Sequence, residues 1–188
     1  MRPGRAALLV LDMQAYFLQP DSHAYVPSAP AIVPGISALL RAFRRAGRPI
    51  FFTQHGNTPE DAGMMMQWWR ELIKPRSAHS QLIGQLDTSK AFIINKSQYD
   101  AFHQTALERR LRVHGTEQVV ISGVMTHLCC ECTARAAFMR GFEVYFTVDG
   151  TATYNEELHR ASLLTLSHGF AIPVLIEEIV ALLESNET

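Results

Sequence analysis

The chain has 188 residues, 47% of them hydrophobic and 19% charged, the composition of an ordinary globular protein and not of a disordered or fibrous one. With 17 Lys and Arg against 18 Asp and Glu the formal charge is −1, which excludes a strong field of one sign and, with it, nucleic acid as an expected partner. No apolar run approaches the roughly 20 residues of a membrane span, so no membrane contact is expected, and the length suits one compact domain over residues 1–188 that buries roughly 70% of its unfolded surface.

Short apolar or β-branched runs alternate with longer stretches of helical period, the pattern of a parallel sheet with helices on both faces. Residues 6–11 form the first expected strand. Residues 32–46 carry Ile36, Leu39, Leu40 and Phe43 at helical spacing, with Gly47 where a helix ends, and 49–53 form the second strand. Residues 54–90 are the least regular stretch; within them 64–73 reads as a helix holding Trp68 and Trp69, and so long an excursion commonly covers a pocket. A third strand is expected at 91–95, a helix at 99–113, a fourth strand at 118–123 and a helix from Thr126 or His127 to Met139. A fifth strand at 142–148, a helix at 155–167, a sixth strand at 171–175 and a helix at 176–183 complete the chain. The expected fold is α/β, a three-layer, doubly wound, Rossmann-like arrangement of a six-stranded, mostly parallel sheet flanked by helices.

Right-handed crossovers place any site of such a fold outside the carboxyl ends of the strands. Three reactive groups fall there: Asp12 after the first strand, Lys96 after the third and Cys129 just beyond the fourth. Each has a plain structural reading, as a turn cap, a solvated charge and a small buried apolar group. Together they supply what acyl transfer needs, because a thiol attacks as its thiolate and requires a base. Asp12 is the candidate base. An unperturbed thiol, with a pKa of about 8.5, is barely ionised at neutral pH, and Lys96 together with a helix N-terminus is expected to lower that value by about two units. The run Gly123-Val124-Met125-Thr126-His127-Leu128-Cys129 leaves backbone N–H groups at a helix start, where an oxyanion can be held.

Leu9-Val10-Leu11-Asp12-Met13-Gln14 with Phe17, Lys96 after a strand, and Gly123-Val124-Met125-Thr126-His127-Leu128-Cys129-Cys130 with Thr133-Ala134-Arg135-Ala136-Ala137 resemble the isochorismatase-like cysteine hydrolase superfamily. The resemblance runs from about residue 6 to 175 and holds three separated motifs in the family's order. It implies a parallel six-stranded sheet, an Asp12–Lys96–Cys129 triad, a cis peptide between Val124 and Met125, and an oxyanion hole made by the Met125 and Cys129 amides. The implied activity is hydrolysis of a small molecule, an amide, carbamoyl or related C–N bond, through a covalent cysteine intermediate.

Cys130 and Cys132 read as helix packing, and adjacent cysteines rarely chelate one tetrahedral ion together. Nicotinamidases, one branch of the superfamily, hold metal through an Asp-x-His motif after the second strand; here the place reads Thr53-Gln54-His55-Gly56. No metal or organic cofactor is therefore expected. True isochorismatases use the same Asp and Lys to protonate a vinyl ether and carry glycine in place of the cysteine, so Asp12 as a general acid is the competing reading; the retained Cys129 favours covalent hydrolysis. A non-enzymatic binding protein, or a redox protein cycling Cys129 and Cys132, would be different classes on the same scaffold. Phe17, Gln14, His127 and Trp68 are the expected substrate contacts, with the 64–73 stretch also open to a subunit interface. A homodimer or homotetramer is expected by resemblance. With all three cysteines inside residues 129–132 and no export cleavage signature before the first strand, a cytoplasmic location is expected.

Overall fold

Six residues in a row, Ala6–Leu11, are completely buried and form the central strand β1. Side chains alternate across a strand, so a strand covered on both faces must be apolar at every position, and Ala-Ala-Leu-Leu-Val-Leu meets that demand. In the computed structural model, which describes residues 1–185, the remaining strands are β2 (Ile50–His55), β3 (Phe92–Lys96), β4 (Gln118–Val124), β5 (Glu143–Ala152) and β6 (Ile172–Val174). All pair in parallel, in the order β3-β2-β1-β4-β5-β6.

The helices divide between the two faces. Leu8 and Val10 point toward α2 (Ala29–Arg45) and α7 (Ile176–Glu184), whose Ile36, Leu39, Phe43, Ile179 and Leu183 complete one core. Ala7, Leu9 and Leu11 point the other way, toward α4 (Leu107–Val113), α5 (Glu131–Met139) and α6 (Glu156–Gly169). Two short helices, α1 (Ala15–Leu18) and α3 (Met64–Trp69), lie in the segments that leave β1 and β2.

From β1 the chain builds outward through β2 and β3, then returns to β4 on the other side of β1 and builds outward again. The crevice at this reversal, beyond the carboxyl ends of β1 and β4, is where open parallel sheets bind ligands. Gly123 lets the two strands approach there: its φ is +117°, and a Cβ would stand 2.1 Å from the Leu11 carbonyl oxygen.

Some boundaries differ from the sequence pattern. The helix expected over 99–113 forms only at Leu107–Val113, because side chains take up the backbone before it: Asp100 accepts from the Phe102 N–H at 2.8 Å and Thr105 donates to the Ala101 carbonyl at 2.6 Å. The helix expected over 64–73 stops at Trp69, since Arg70 turns to a left-handed φ of 58°. The helix expected from Thr126 begins as a π-turn, Thr126–Cys130, before α5 takes over. Strand β5 continues to Ala152, past a register shift opposite Ile121 and Gly123.

Candidate active site

Four strand ends meet at the crevice. Asp12 follows β1 with a φ of 50°, a left-handed turn that Asp tolerates better than most side chains. Its N–H donates to Thr53 Oγ1 at 3.0 Å, and that hydroxyl donates back to Asp12 Oδ1 at 2.6 Å. Thr53 comes from β2, so the carboxylate is pinned to the neighbouring strand before any cation is considered. Its other oxygen, Oδ2, lies 2.7 Å from Lys96 Nζ at the end of β3, with both side chains fully buried. Lys96 Nζ also donates to the Gln98 carbonyl at 2.9 Å and to Cys129 Sγ at 3.3 Å, and lies 3.2 Å from His55 Nδ1.

The hydrogen bonds around His55 fix its tautomer. Asn57 Nδ2 donates to the Ser97 carbonyl at 2.7 Å, which turns Oδ1 toward His55 Nε2, 2.7 Å away. An amide oxygen only accepts, so Nε2 carries the ring hydrogen and Nδ1 presents a lone pair to Lys96. Burial first, and then the Lys96 charge, depress the His55 pKa to about 4, which keeps the ring neutral. The ammonium thus has three hydrogens and four acceptors around it: Asp12, Gln98, His55 and Cys129.

Burial would raise the Asp12 pKa, but Lys96 and the Cys129 S–H contact bring it below the usual carboxylate range. Burial would lower that of Lys96, and Asp12 with Cys129 raises it instead. The cysteine departs from expectation. Burial and then the Asp12 charge push the thiol pKa well up, against the pull of Lys96. The expected lowering by Lys96 and the helix start does not occur, because the lysine's charge is already balanced by Asp12 and the sulfur is only 4% exposed. The resting group is a thiol whose proton has a carboxylate beside it.

Cys129 follows β4 on the π-turn, after a cis peptide between Val124 and Met125. The Met125 carbonyl accepts from the amides of Leu128 at 3.1 Å and Cys130 at 3.2 Å, passing over the Cys129 N–H between them. Cys130 is completely buried in the α5-side core, and Cys132 is partly buried.

Cys129 opens onto a cavity of about 50 Å³. Phe17, Met65, Trp69, Tyr99 and Tyr154 form much of its wall, and His55 and Asn57 reach it beside the sulfur. Of the residues expected to contact substrate, Phe17 is on the wall and three are elsewhere. Trp68 is 74% exposed, and its neighbour Trp69 takes the inward place, with Nε1 donating to Tyr99 Oη at 2.6 Å. A helix turns about 100° per residue, so Met65 and Trp69 face inward together while Met64 and Trp68 face outward. Gln14 is fully buried with its amide engaged, Nε2 donating to the carbonyls of His55 at 2.9 Å and Ser80 at 2.8 Å and Oε1 accepting from the His55 N–H at 2.8 Å. It ties the ends of β1 and β2 together. His127 stands two residues before Cys129 on the turn and so faces away, its Nδ1 2.7 Å from Thr153 Oγ1.

Thr53, His55 and Asn57 complete the buried network and were not among the expected site residues. His55 could have been found by the same strand-end rule that selects Asp12 and Lys96, since it is the last residue of β2 and stands in register with Lys96.

Asp12, His55 and Cys129 also present ligand atoms within 4.8 Å of one another, close enough to suggest a metal. The arrangement does not suit one, because the Lys96 ammonium lies 2.7, 3.2 and 3.3 Å from those same three groups and the second His55 nitrogen is engaged by Asn57.

A six-stranded parallel sheet between helices, with buried Asp12, Lys96 and Cys129 side chains at its switch point, is an architecture shared with a solved cysteine hydrolase. The family description "Isochorismatase domain" matches residues 6–178, and the chain belongs to that family of hydrolases. It is 40% identical over 171 residues to Nicotinamidase 3 of Arabidopsis thaliana, covering 88% of this chain and 82% of that protein. To the Isochorismatase of Bacillus subtilis (strain 168) it is 27% identical over 190 residues, covering 97% of this chain but 59% of that protein. Among solved structures, a cysteine hydrolase from Pseudomonas syringae pv. phaseolicola 1448A superposes with a TM-score of 0.94 at 27% identity, covering 98% of this chain and 95% of that one.

Proposed function

We propose that the protein hydrolyses a small carboxamide or related C–N bond through a covalent intermediate on Cys129. The observation that carries the reading is that Cys129 Sγ lies on the cavity wall and 3.3 Å from Lys96 Nζ, which is itself 2.7 Å from Asp12. As Sγ bonds to the substrate carbonyl carbon, Asp12 accepts the thiol proton, and the carbonyl oxygen becomes an oxyanion for the Met125 and Cys129 amides to hold. The protonated Asp12 then gives its proton to the nitrogen as the C–N bond breaks, leaving an acyl thioester. Water, deprotonated by Asp12, attacks that thioester and releases the acid and the thiol. Proton transfer coincides with attack because the resting thiol is held protonated by burial and by the adjacent carboxylate.

Lys96 stays charged throughout, and its hydrogens change partners. A neutral thiol is a poor acceptor and a neutral imidazole a good one, so His55 Nδ1 holds the third ammonium hydrogen at rest and the sulfur takes it as negative charge develops.

The relatives include both a nicotinamidase and an isochorismatase, and the wall of the cavity favours the former's chemistry. Isochorismate carries two carboxylates. The described residues lining the cavity include no lysine or arginine to bind them, and they do include Glu71. No step uses a metal, since the ammonium stands where an ion on the Asp12, His55 and Cys129 ligands would be.

A panel of nicotinamide, other small amides, ureas, carbamates and isochorismate, run with the native protein and with Cys129→Ala, tests the reading. Amide turnover by the native protein alone, with an acyl adduct on Cys129 in rapid-quench intact mass, is expected. Amide turnover that survives Cys129→Ala, or vinyl-ether cleavage in place of amide hydrolysis, would overturn it.

A further inference from the structure

The cavity is electrically lopsided. Five aromatic rings, those of Tyr16, Phe17, Trp69, Tyr99 and Tyr154, line it, and among its described lining residues Glu71 is the sole carboxylate. Aromatic walls suit a flat ligand, and the carboxylate sets the sign of charge that the lining favours.

Glu71 is also placed. Tyr16, 6% exposed, donates from Oη to Glu71 Oε1 at 3.2 Å, and Oε2 faces His23 Nδ1 at 3.5 Å. Burial and then the Glu71 charge raise the Tyr16 pKa, so the phenol remains a donor at ordinary pH. The Glu71 side chain is 48% exposed, whereas Cys129 is 4% exposed. The carboxylate therefore stands at the open end of a cavity whose buried end is the nucleophile, and each of its oxygens keeps a lone pair for a further donor.

We infer that Glu71 is a specificity-determining residue, and that the preferred ligand is a small flat amide bearing a positive charge or an N–H donor at the end away from its carbonyl. The inference rests on the amide reading for the identity of the buried end, and adds what is recognised at the open end. A carboxylate at that end of a ligand would be repelled by Glu71. A cation there would gain a charge-assisted contact with Glu71.

Glu71→Gln is the informative variant: it keeps the volume and the oxygen that Tyr16 needs while removing the charge. Three carboxamides of similar size serve as probes, 1-methylnicotinamide as the cation, nicotinamide as the neutral compound and 3-carboxybenzamide as the anion. Their Kd values are measured by calorimetry on Cys129→Ala, with and without Glu71→Gln, alongside kcat and KM with the thiol present. With Glu71 in place, the cation should bind about tenfold tighter than the neutral probe and the anion weakest. Glu71→Gln should bring cation and neutral probe to within about twofold, through KM with kcat little changed.

An unchanged ranking of the probes in Glu71→Gln, or no binding of any probe to Cys129→Ala, would overturn the inference. A uniform loss across all three probes would assign Glu71 a structural role and also overturn it. The two readings fail separately. Charge-dependent binding without turnover would sink the amide chemistry and leave the selection intact, whereas turnover indifferent to Glu71→Gln would do the reverse.

Discussion

The floor and the rim of the cavity are built from different kinds of chain. Asp12, His55, Lys96 and Cys129 stand at or just past the ends of four parallel strands and are at most 6% exposed. His23, Glu71 and Trp69 come from α3 and the irregular segments after β1 and β2, and Glu71 and His23 are each 48% exposed. At the floor the Asp12, His55 and Lys96 side chains are held by other protein groups, so position is dictated by sheet register and one lost partner leaves a buried charge. At the rim, water can replace a lost partner, and substitutions there should change selection more than folding.

The largest expected effect follows directly. Cys129→Ala should reduce amide turnover by about 10⁴-fold or more, the scale seen when a covalent nucleophile is removed, while Glu71→Gln leaves kcat within a few-fold. Steady-state kinetics on both variants checks the contrast, and comparable losses in kcat would erase the distinction between floor and rim.

Stability should divide the same way. Lys96→Met leaves Asp12 buried and unpaired, which should cost about 3–5 kcal/mol, and adding Asp12→Asn should restore much of it because the uncompensated charge is gone. Denaturant titration of the single and double variants measures this. If the double variant is as unstable as Lys96→Met alone, Asp12 is not what the lysine neutralises.

The pH dependence at the floor has a definite sign. His55 has a folded pKa of about 4 against about 6.5 in the unfolded chain. Between these values the unfolded chain takes up a proton that the folded chain refuses. The contribution is therefore complete above about pH 6.5 and lost progressively as pH falls toward 4. Asp12, whose folded pKa is also depressed, adds a loss of the same sign at lower pH, below its ordinary value of about 4. Between pH 6.5 and 5 the native protein should lose about 1.5 kcal/mol from His55, and His55→Gln should flatten that slope. Parallel slopes for the two proteins would mean that the ring is not held neutral by Lys96 and its burial.

The two regions were also unequally legible in the sequence. Periodicity and β-branching define the strands, and the rule that sites lie beyond strand ends brings Asp12, Lys96 and Cys129 to one place across 117 residues of chain. Hydrogen-bond counting is less accessible. Gln14 looks like a free polar side chain beside the acid, yet its carbonyl and amide groups are all taken by β2 and the chain at Ser80. The direction of the thiol's pKa shift is hidden for a related reason: by sequence Lys96 is a cation free to stabilise sulfur, whereas in the fold Asp12 holds it closer, at 2.7 Å against 3.3 Å. Residues 54–90 give still less, because a short helix bounded by Gly63 and Arg70, both at positive φ, has no long periodic pattern to reveal which face turns inward.

That ambiguity concentrates in Trp68 and Trp69, which are chemically identical neighbours with opposite surroundings. Trp69 lines the cavity and donates to Tyr99 Oη at 2.6 Å, and Trp68 is 74% exposed. Replacing each by Phe keeps an aromatic ring and removes the indole N–H. At Trp69 the change should cost about 1 kcal/mol for the lost hydrogen bond, and it should raise KM as well, since Tyr99 stands on the same wall. At Trp68 both stability and KM should stay within about 0.5 kcal/mol of the native protein. Paired thermal melts and kinetics on the two variants measure this smallest difference. Equal effects would mean that α3 does not present alternate residues to the cavity, and would remove the reason for placing Met65 and Trp69, rather than Met64 and Trp68, beside the substrate.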